Sequence, residues 1–294
     1  MGLLWPGVDF RDAALCDLEL GVGARQLQRA AVVFDYLRFD RQRKTASDVM
    51  TVQRSLISRY DAQFPTVKQC QGLEVSTMTL LRQQGFGADM LEVGYALGRA
   101  GVELGHYLGL WDTMSRNASF MTGTGVSDDH TGTRWLAQRW NYVTWAWADS
   151  TAEPALLDAL AAGRAWFGDP AQYRGAVDLL VDGYAPMGSV TVVTAGSRAV
   201  TVTATDLPSG GWVDLMQGVV DYAGTMDPNP LVTRIMIPRA AFATGSTTVD
   251  VSTTSSSSVR AEVFDASGVV VAYSNPVWLL REPPVLGVPP ARAD

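Results

Sequence analysis

Asp128 and His130 stand two positions apart in a 294-residue chain whose one other histidine is His106. On an extended segment, residues two apart project to the same side. A carboxylate and an imidazole converging on one point make a donor pair for a transition-metal ion, with bonds of about 2.0–2.2 Å. The pair falls within Thr-Gly-Thr-Gly-Val-Ser-Asp-Asp-His-Thr-Gly, residues 122–132, the densest polar cluster in the chain. A strand end running into a glycine-containing loop sits at the rim of an α/β barrel or sheet, where such folds keep their sites. Spacing alone leaves open a loop merely capped by Asp and His. Arg134 and Arg139 follow closely and carry the planar fork that can clamp a phosphate, although surface arginines would look the same. Glycines 123 and 125 do not make a nucleotide P-loop, because no Gly-Lys-Ser/Thr ending follows them. No Gly-x-Ser-x-Gly nucleophile elbow is present either.

The elements that must hold these residues follow from periodicity. Residues 72–76 and 90–93 read as short strands, 105–115 as a helix, 120–124 as a short strand entering the loop, and 141–148 as an aromatic strand. Ser150-Thr151-Ala152-Glu153 has the form of a capping box, opening a helix over 154–162 that Gly163 stops. Strands alternating with helices imply an α/β unit. Beyond Gly163 the texture changes. Residues 177–271 are rich in β-branched side chains at period two, punctuated about every ten residues by Gly, Pro, Asp and Ser. That pattern predicts a β-sandwich of roughly seven strands, with 255–258 as a loop. Residues 25–60 are helical in pattern, within a segment 1–70 of no assignable role. The proline-rich residues 282–294 read as a flexible tail. Trp135, Trp140, Trp145, Trp147 and Trp166 concentrate near the junction. They form either a sugar-stacking surface or core, and the alternation of Tyr142, Trp145 and Trp147 favours core. His106, on the helix 105–115, reads by default as a core or partly exposed side chain.

Composition sets outer bounds. Hydrophobic content of 47% with 18% charged residues belongs to a folded chain. A net charge of −7 without a basic run disfavours nucleic acid as a partner. Cys16 and Cys70 lie in no metal-ligand spacing; spacing leaves one disulfide open, and two unpaired buried thiols are the favoured reading. No run of about 18 apolar residues exists to span a membrane, and residues 1–20 lack the pattern of a signal peptide.

Residues 124–130, Thr-Gly-Val-Ser-Asp-Asp-His, resemble the last metal-binding motif of the polymerase and histidinol phosphatase (PHP) family of phosphoesterases. Ala88-Asp89-Met90-Leu91-Glu92-Val93 resembles that family's D-x-x-E-V strand, and Leu110-Trp111-Asp112 its tryptophan-bearing helix. Asn141-Tyr142-Val143 and Gly163-Arg164-Ala165-Trp166 resemble the strand and the Gly-Arg turn that follow. Leu179 to Gly183 and Tyr273 to Trp278 resemble edges of an appended sandwich. The resemblance implies an α/β architecture: a partial (β/α)7 barrel over 71–175, then an all-β immunoglobulin-like sandwich over 176–281. It implies a divalent-metal centre of zinc, manganese or iron that hydrolyses a small-molecule or glycan phosphoester. Asp128 and His130 become metal ligands, and Glu74 a bridging ligand, with a plain strand glutamate as its alternative. Arg134 and Arg139 become substrate contacts. Glu92 would hydrogen-bond the loop after Val93 and not bind metal.

The family's opening His-x-His motif and its later histidines have no counterpart here. A two-metal site takes about six to nine donors, and this chain offers Asp128, His130 and Glu74. Two readings follow. One is a metal-dependent phosphoesterase-like hydrolase that needs further ligands. The other is a non-catalytic relative whose sandwich binds a partner or glycan.

Overall fold

The computed structural model describes residues 89–94, 104–127, 141–221, 230–284 and 287–293, all within one compact unit. It begins with a strand–helix–strand unit: β1 (Met90–Gly94), α1 (Leu104–Arg116) and β2 (Thr122–Gly125). β1 and β2 pair in parallel, Met90 opposite Thr122 and Glu92 opposite Thr124. A parallel pair needs a crossover, and α1 supplies it. The apolar residues Leu110, Trp111 and Met114 give α1 its buried face.

β3 (Val143–Ala146), α2 (Glu153–Ala161) and β4 (Ala165–Gly168) come next. Here the strands are antiparallel, Trp145 opposite Trp166, and the ladder continues through the Trp147 amide to the Arg164 carbonyl. The capping box does not form. The N-cap is Ala152, which makes no side-chain bond, and Ser150 Oγ accepts only from the Ala152 amide, at 3.4 Å. Pro154, in the first turn, lacks a donor where none is needed. At the other end Gly163 takes φ +73°. Its amide donates to Leu160 O and the Arg164 amide to Ala159 O, the paired bonds of a Schellman turn.

Ten further strands follow: β5 (Val177–Val181), β6 (Ala185–Pro186), β7 (Val190–Val192), β8 (Ser197–Ala204), β9 (Trp212–Val219), β10 (Val232–Pro238), β11 (Ser246–Ser252), β12 (Ser257–Phe264), β13 (Val270–Ser274) and β14 (Val277–Leu280). One sheet runs β10-β9-β12-β13-β4-β3, with β14 paired to β12 and β7 to β14; the other runs β11-β8-β5-β6. Their facing side chains share one core. Leu179, Val200, Val202, Leu215, Val259 and Val263 are all at most 1% exposed, each contributing about 1.5–3 kcal/mol by burial.

The expected (β/α)7 barrel portion is not what the chain builds. Among the described residues two α-helices accompany fourteen strands, and no sheet closes on itself. Of the supposed barrel strands, β1 and β2 form a two-stranded parallel sheet, whereas β3 and β4 are antiparallel and join β13 at the side of the sandwich. Strand–helix–strand order in sequence is shared by parallel and antiparallel connections, and α2 with its Schellman turn returns the chain alongside β3. The seven-stranded immunoglobulin-like expectation is corrected as well. The larger sheet has eight strands because it recruits β3, β4 and the parallel β7–β14 pair. Residues 257–258, expected in a loop, begin β12. The proline-rich end, expected to be loose, carries a 3₁₀ turn at Pro290–Arg292, a buried Arg292 and a bridge from Ala293 to Val190. Among the described residues no helix is long and apolar enough to cross a membrane.

Candidate functional site

The sequence singles out the segment that leaves β2, and the structure defines its stem. Thr122-Gly123-Thr124-Gly125 is buried throughout. Its two faces and two edges are each assigned by residue type. Toward β1, the Thr122 amide donates to Asp89 O at 3.0 Å and the Val126 amide to Gly94 O at 2.8 Å. The opposite edge belongs to Gly123 and Gly125, and no strand pairs with it among the described residues. Side chains of the sandwich take the place of that strand. Asn275 Oδ1 accepts from the Gly123 amide at 2.7 Å, and Asn275 Nδ2 donates to Gly123 O at 2.9 Å and to Ala165 O at 2.7 Å. One rung further, Thr144 Oγ1 accepts from the Gly125 amide at 2.9 Å and donates to Gly125 O at 2.8 Å. Buried backbone groups require such partners.

The glycines are there for space. A β-carbon on Gly123 would lie 2.5 Å from the Trp111 ring, and one on Gly125 would lie 2.8 Å from Tyr142 Cβ and 2.9 Å from Phe167 Cβ. On the other face the threonines bond. Thr122 Oγ1 donates to Leu160 O at 2.7 Å and accepts from Arg292, while Thr124 Oγ1 donates to Leu91 O at 3.3 Å. Arg292 also donates to Gly188 O at 3.1 Å and lies over the Trp278 ring at 5.5 Å. Burial pushes its guanidinium down to about 10, against the attraction of Asp89, so it stays cationic at neutral pH.

An aromatic floor lies beneath the stem. Phe167 stacks on Tyr273 at 5.0 Å and meets Trp111 at 5.8 Å and Tyr142 at 6.4 Å. The Trp111 indole N–H donates to Met121 O at 3.1 Å, tying α1 to the entrance of β2. Burial raises the Tyr142 hydroxyl well above the ordinary phenol range, and the Asp169 charge adds to the shift. Burial does the same to Tyr273. Both remain neutral and cannot serve as phenolate bases at neutral pH.

α1 is pinned to the sandwich by charge. Arg260 on β12 donates from Nε to Asp112 Oδ1 and from Nη2 to Asp112 Oδ2, both at 2.9 Å, and a third bond goes to Glu262. Arg260 lies over the Trp111 ring at 5.5 Å. The two flanking carboxylates hold its guanidinium above its usual range despite the opposing effect of burial.

Of the residues the sequence nominated, Asp128, His130, Glu74, Arg134 and Arg139 lie outside the described residues, as do Cys16, Cys70, Trp135, Trp140 and the His106 side chain. Glu92 sits on β1 opposite Thr124. Trp145 and Trp166 stack at 4.1 Å against the sandwich core. Trp147 is partly exposed, its indole donating to Val177 O at 3.1 Å. Among the described residues no three His, Cys, Asp or Glu side chains gather as a metal site.

Sequence reasoning missed Asn275, Thr144 and Arg292. One signal was present: Ser274-Asn275 interrupts an otherwise apolar run from Val269 to Leu280, and a polar pair in such a run must find buried partners. No known protein family and no curated protein matches the chain.

Proposed function

We propose that the segment leaving β2 is the functional site, a divalent-metal site acting on phosphate esters, with Asp128 and His130 as ligands. The observation that supports this is the parallel pairing of β1 and β2. It brings two carboxyl strand ends together, where open α/β arrangements place ligands, and Asp128 follows three residues after β2 ends.

A carboxylate with an imidazole suits zinc, manganese or iron. A bound metal of this kind would lower the pKa of its water and offset charge on phosphoryl oxygens. The chain's own contributions are the ligands, a stem that resists displacement, and Arg134 and Arg139 as phosphate clamps. The PHP resemblance supplies the reaction class. It does so without the barrel, which the fold excludes.

Elemental analysis of the purified full chain tests this proposal, with Asp128→Ala and His130→Ala alongside. Zinc, manganese or iron near one per chain, lost in both variants, is expected, together with hydrolysis of p-nitrophenyl phosphate that follows metal content. Metal near zero, or retained in full by both variants, would refute it.

A second reading is a metal-free relative whose sandwich binds a partner or glycan. It is favoured by the presence of only two histidines and by exposed apolar side chains on the end strand β10, where Ile235 is 36% and Met236 65% exposed. A metal-free parent chain that binds an immobilised glycan, and loses it in Met236→Lys, would select this reading.

A further inference from the structure

We infer that the chain contains a receptor for one guanidinium group, filled in cis by Arg292, and that residues 287–293 are a strap which this receptor latches across β2, α2 and β7. Every group of the receptor is among the described residues, and none lies in the segment that follows β2. The inference therefore stands or falls apart from the metal reading.

The strap itself has little else to hold it. Residues 287, 289–291 and 293 are exposed and Val288 is half-buried, whereas Arg292 is 3% exposed. Its backbone is preset more than packed. Pro289 and Pro290 fix the chain as it enters the 3₁₀ turn, where the Arg292 amide donates to Pro289 O at 2.8 Å. Ala293 makes a single bridge to Val190 on β7, and Val288 rests on the small core around Trp278. One side chain carries most of the attachment.

The groups that receive that side chain come from four distant parts of the sequence. Gly188, in the turn before β7, accepts from Nη1 at 3.1 Å, and Ala162, which closes α2, accepts from the same nitrogen at 3.4 Å. Thr122 Oγ1 on β2 accepts from Nη2, and the Trp278 ring on β14 lies 5.5 Å from the guanidinium carbon. Two glycines clear the space: a β-carbon on Gly163 would collide with Arg292 Nη1, and one on Gly188 with Ala162 O.

The acceptors are all uncharged. Charge is balanced instead by the carbonyl end of α2, where the helix dipole is negative. Thr122 Oγ1 donates to Leu160 O in that same last turn, so it too presents its lone pairs to the cation. A planar guanidinium suits this slot, because its fixed fork reaches acceptors on separate elements while its face lies on an indole. An ammonium is a compact, strongly hydrated charge and does not do both. The ligand class is thus a guanidinium, and an arginine side chain is its natural form.

Chemical rescue on the full chain tests this. Arg292→Ala empties the receptor and leaves the strap backbone. It should lower the thermal midpoint on the order of 5 °C and speed hydrogen exchange in residues 122–125 on the order of tenfold, with β12 at the parent rate. Ethylguanidinium chloride at about 10 mM should reverse both effects in part, increasingly with concentration. Ethylammonium chloride at the same concentration should not. The parent, whose receptor is filled, and Arg292→Met, whose side chain occupies the space of the arginine stem, should respond to neither salt. Absence of rescue, equal rescue by ethylammonium, or the same response in Arg292→Met overturns the receptor. If Arg292→Ala does not fold, Arg292→Lys decides: faster exchange in 122–125 than in the parent supports the need for a guanidinium, and exchange at the parent rate overturns it.

Discussion

Replacing Arg260 with methionine should destabilise the unit by roughly 3–5 kcal/mol, the usual penalty for removing one member of a buried ionic group. The local structure explains why the upper part of that range applies. The Arg260 and Glu262 side chains are only 6% and 9% exposed, and that of Asp112 is 17% exposed. Arg260 holds Asp112 through two parallel bonds of 2.9 Å and holds Glu262 through a third. Methionine keeps the aliphatic stem, so packing on Trp111 is largely retained and the loss is electrostatic. Two carboxylates are then left facing each other with no cation between them. Because Asp112 is on α1 and the other two are on β12, the penalty falls on the helix–sheet contact. The assay is urea unfolding of the parent, Arg260→Met, Asp112→Leu and the double variant. A coupling energy of about 0.5–3 kcal/mol between Arg260 and Asp112 is expected. The triple variant with Glu262→Leu should recover most of the lost stability, because no buried charge remains. An Arg260→Met penalty below about 1 kcal/mol, or zero coupling, would refute this account of how α1 is fastened.

Other outcomes follow from the same geometry. Gly123→Ala should lower stability by about 1–3 kcal/mol, the usual cost of overpacking, because its β-carbon would sit 2.5 Å from the Trp111 ring; thermal unfolding with tryptophan fluorescence reads this, and a neutral result would mean that β2 and α1 separate easily. The buried hydroxyls of Tyr142, Tyr173 and Tyr273 titrate above the ordinary phenol range. The unfolded state therefore loses these protons first, and stability should fall as pH rises through about 10. In a titration followed by phenolate absorbance, these three of the nine tyrosines should ionise only on unfolding, and simple reversible ionisation of all nine near pH ~10 would contradict their burial.

Several features of the fold were legible because they are local. The period-two runs in β8 and β11 require only that alternate side chains face a core, and Val200, Val202 and Val251 do so. Gly163 ends α2 because only a residue tolerant of positive φ completes that turn. The strand entering the polar segment was visible in Thr122-Gly123-Thr124, and structure extends it to Gly125. The capping box failed despite its matching residues. Ser150 lies two positions ahead of the actual N-cap, Ala152, and proline in the first turn sets where the helix starts.

Residue types alone nominated Asp128 and His130, since an acid and an imidazole two apart carry their chemistry in their identity and spacing. The sequence also determined where the chain changes from mixed to β texture, because side-chain branching and turn residues act over a few positions. Only the tertiary structure decided that β3 and β4 run antiparallel into the sandwich and that no sheet among the described residues closes into a barrel, since strand direction depends on how a connection packs. It alone brought Asn275 to Gly123 across 152 residues and Arg260 to Asp112 across 148. Those contacts arise from the need to satisfy buried polar groups, which can be met by any part of the chain that the fold brings near.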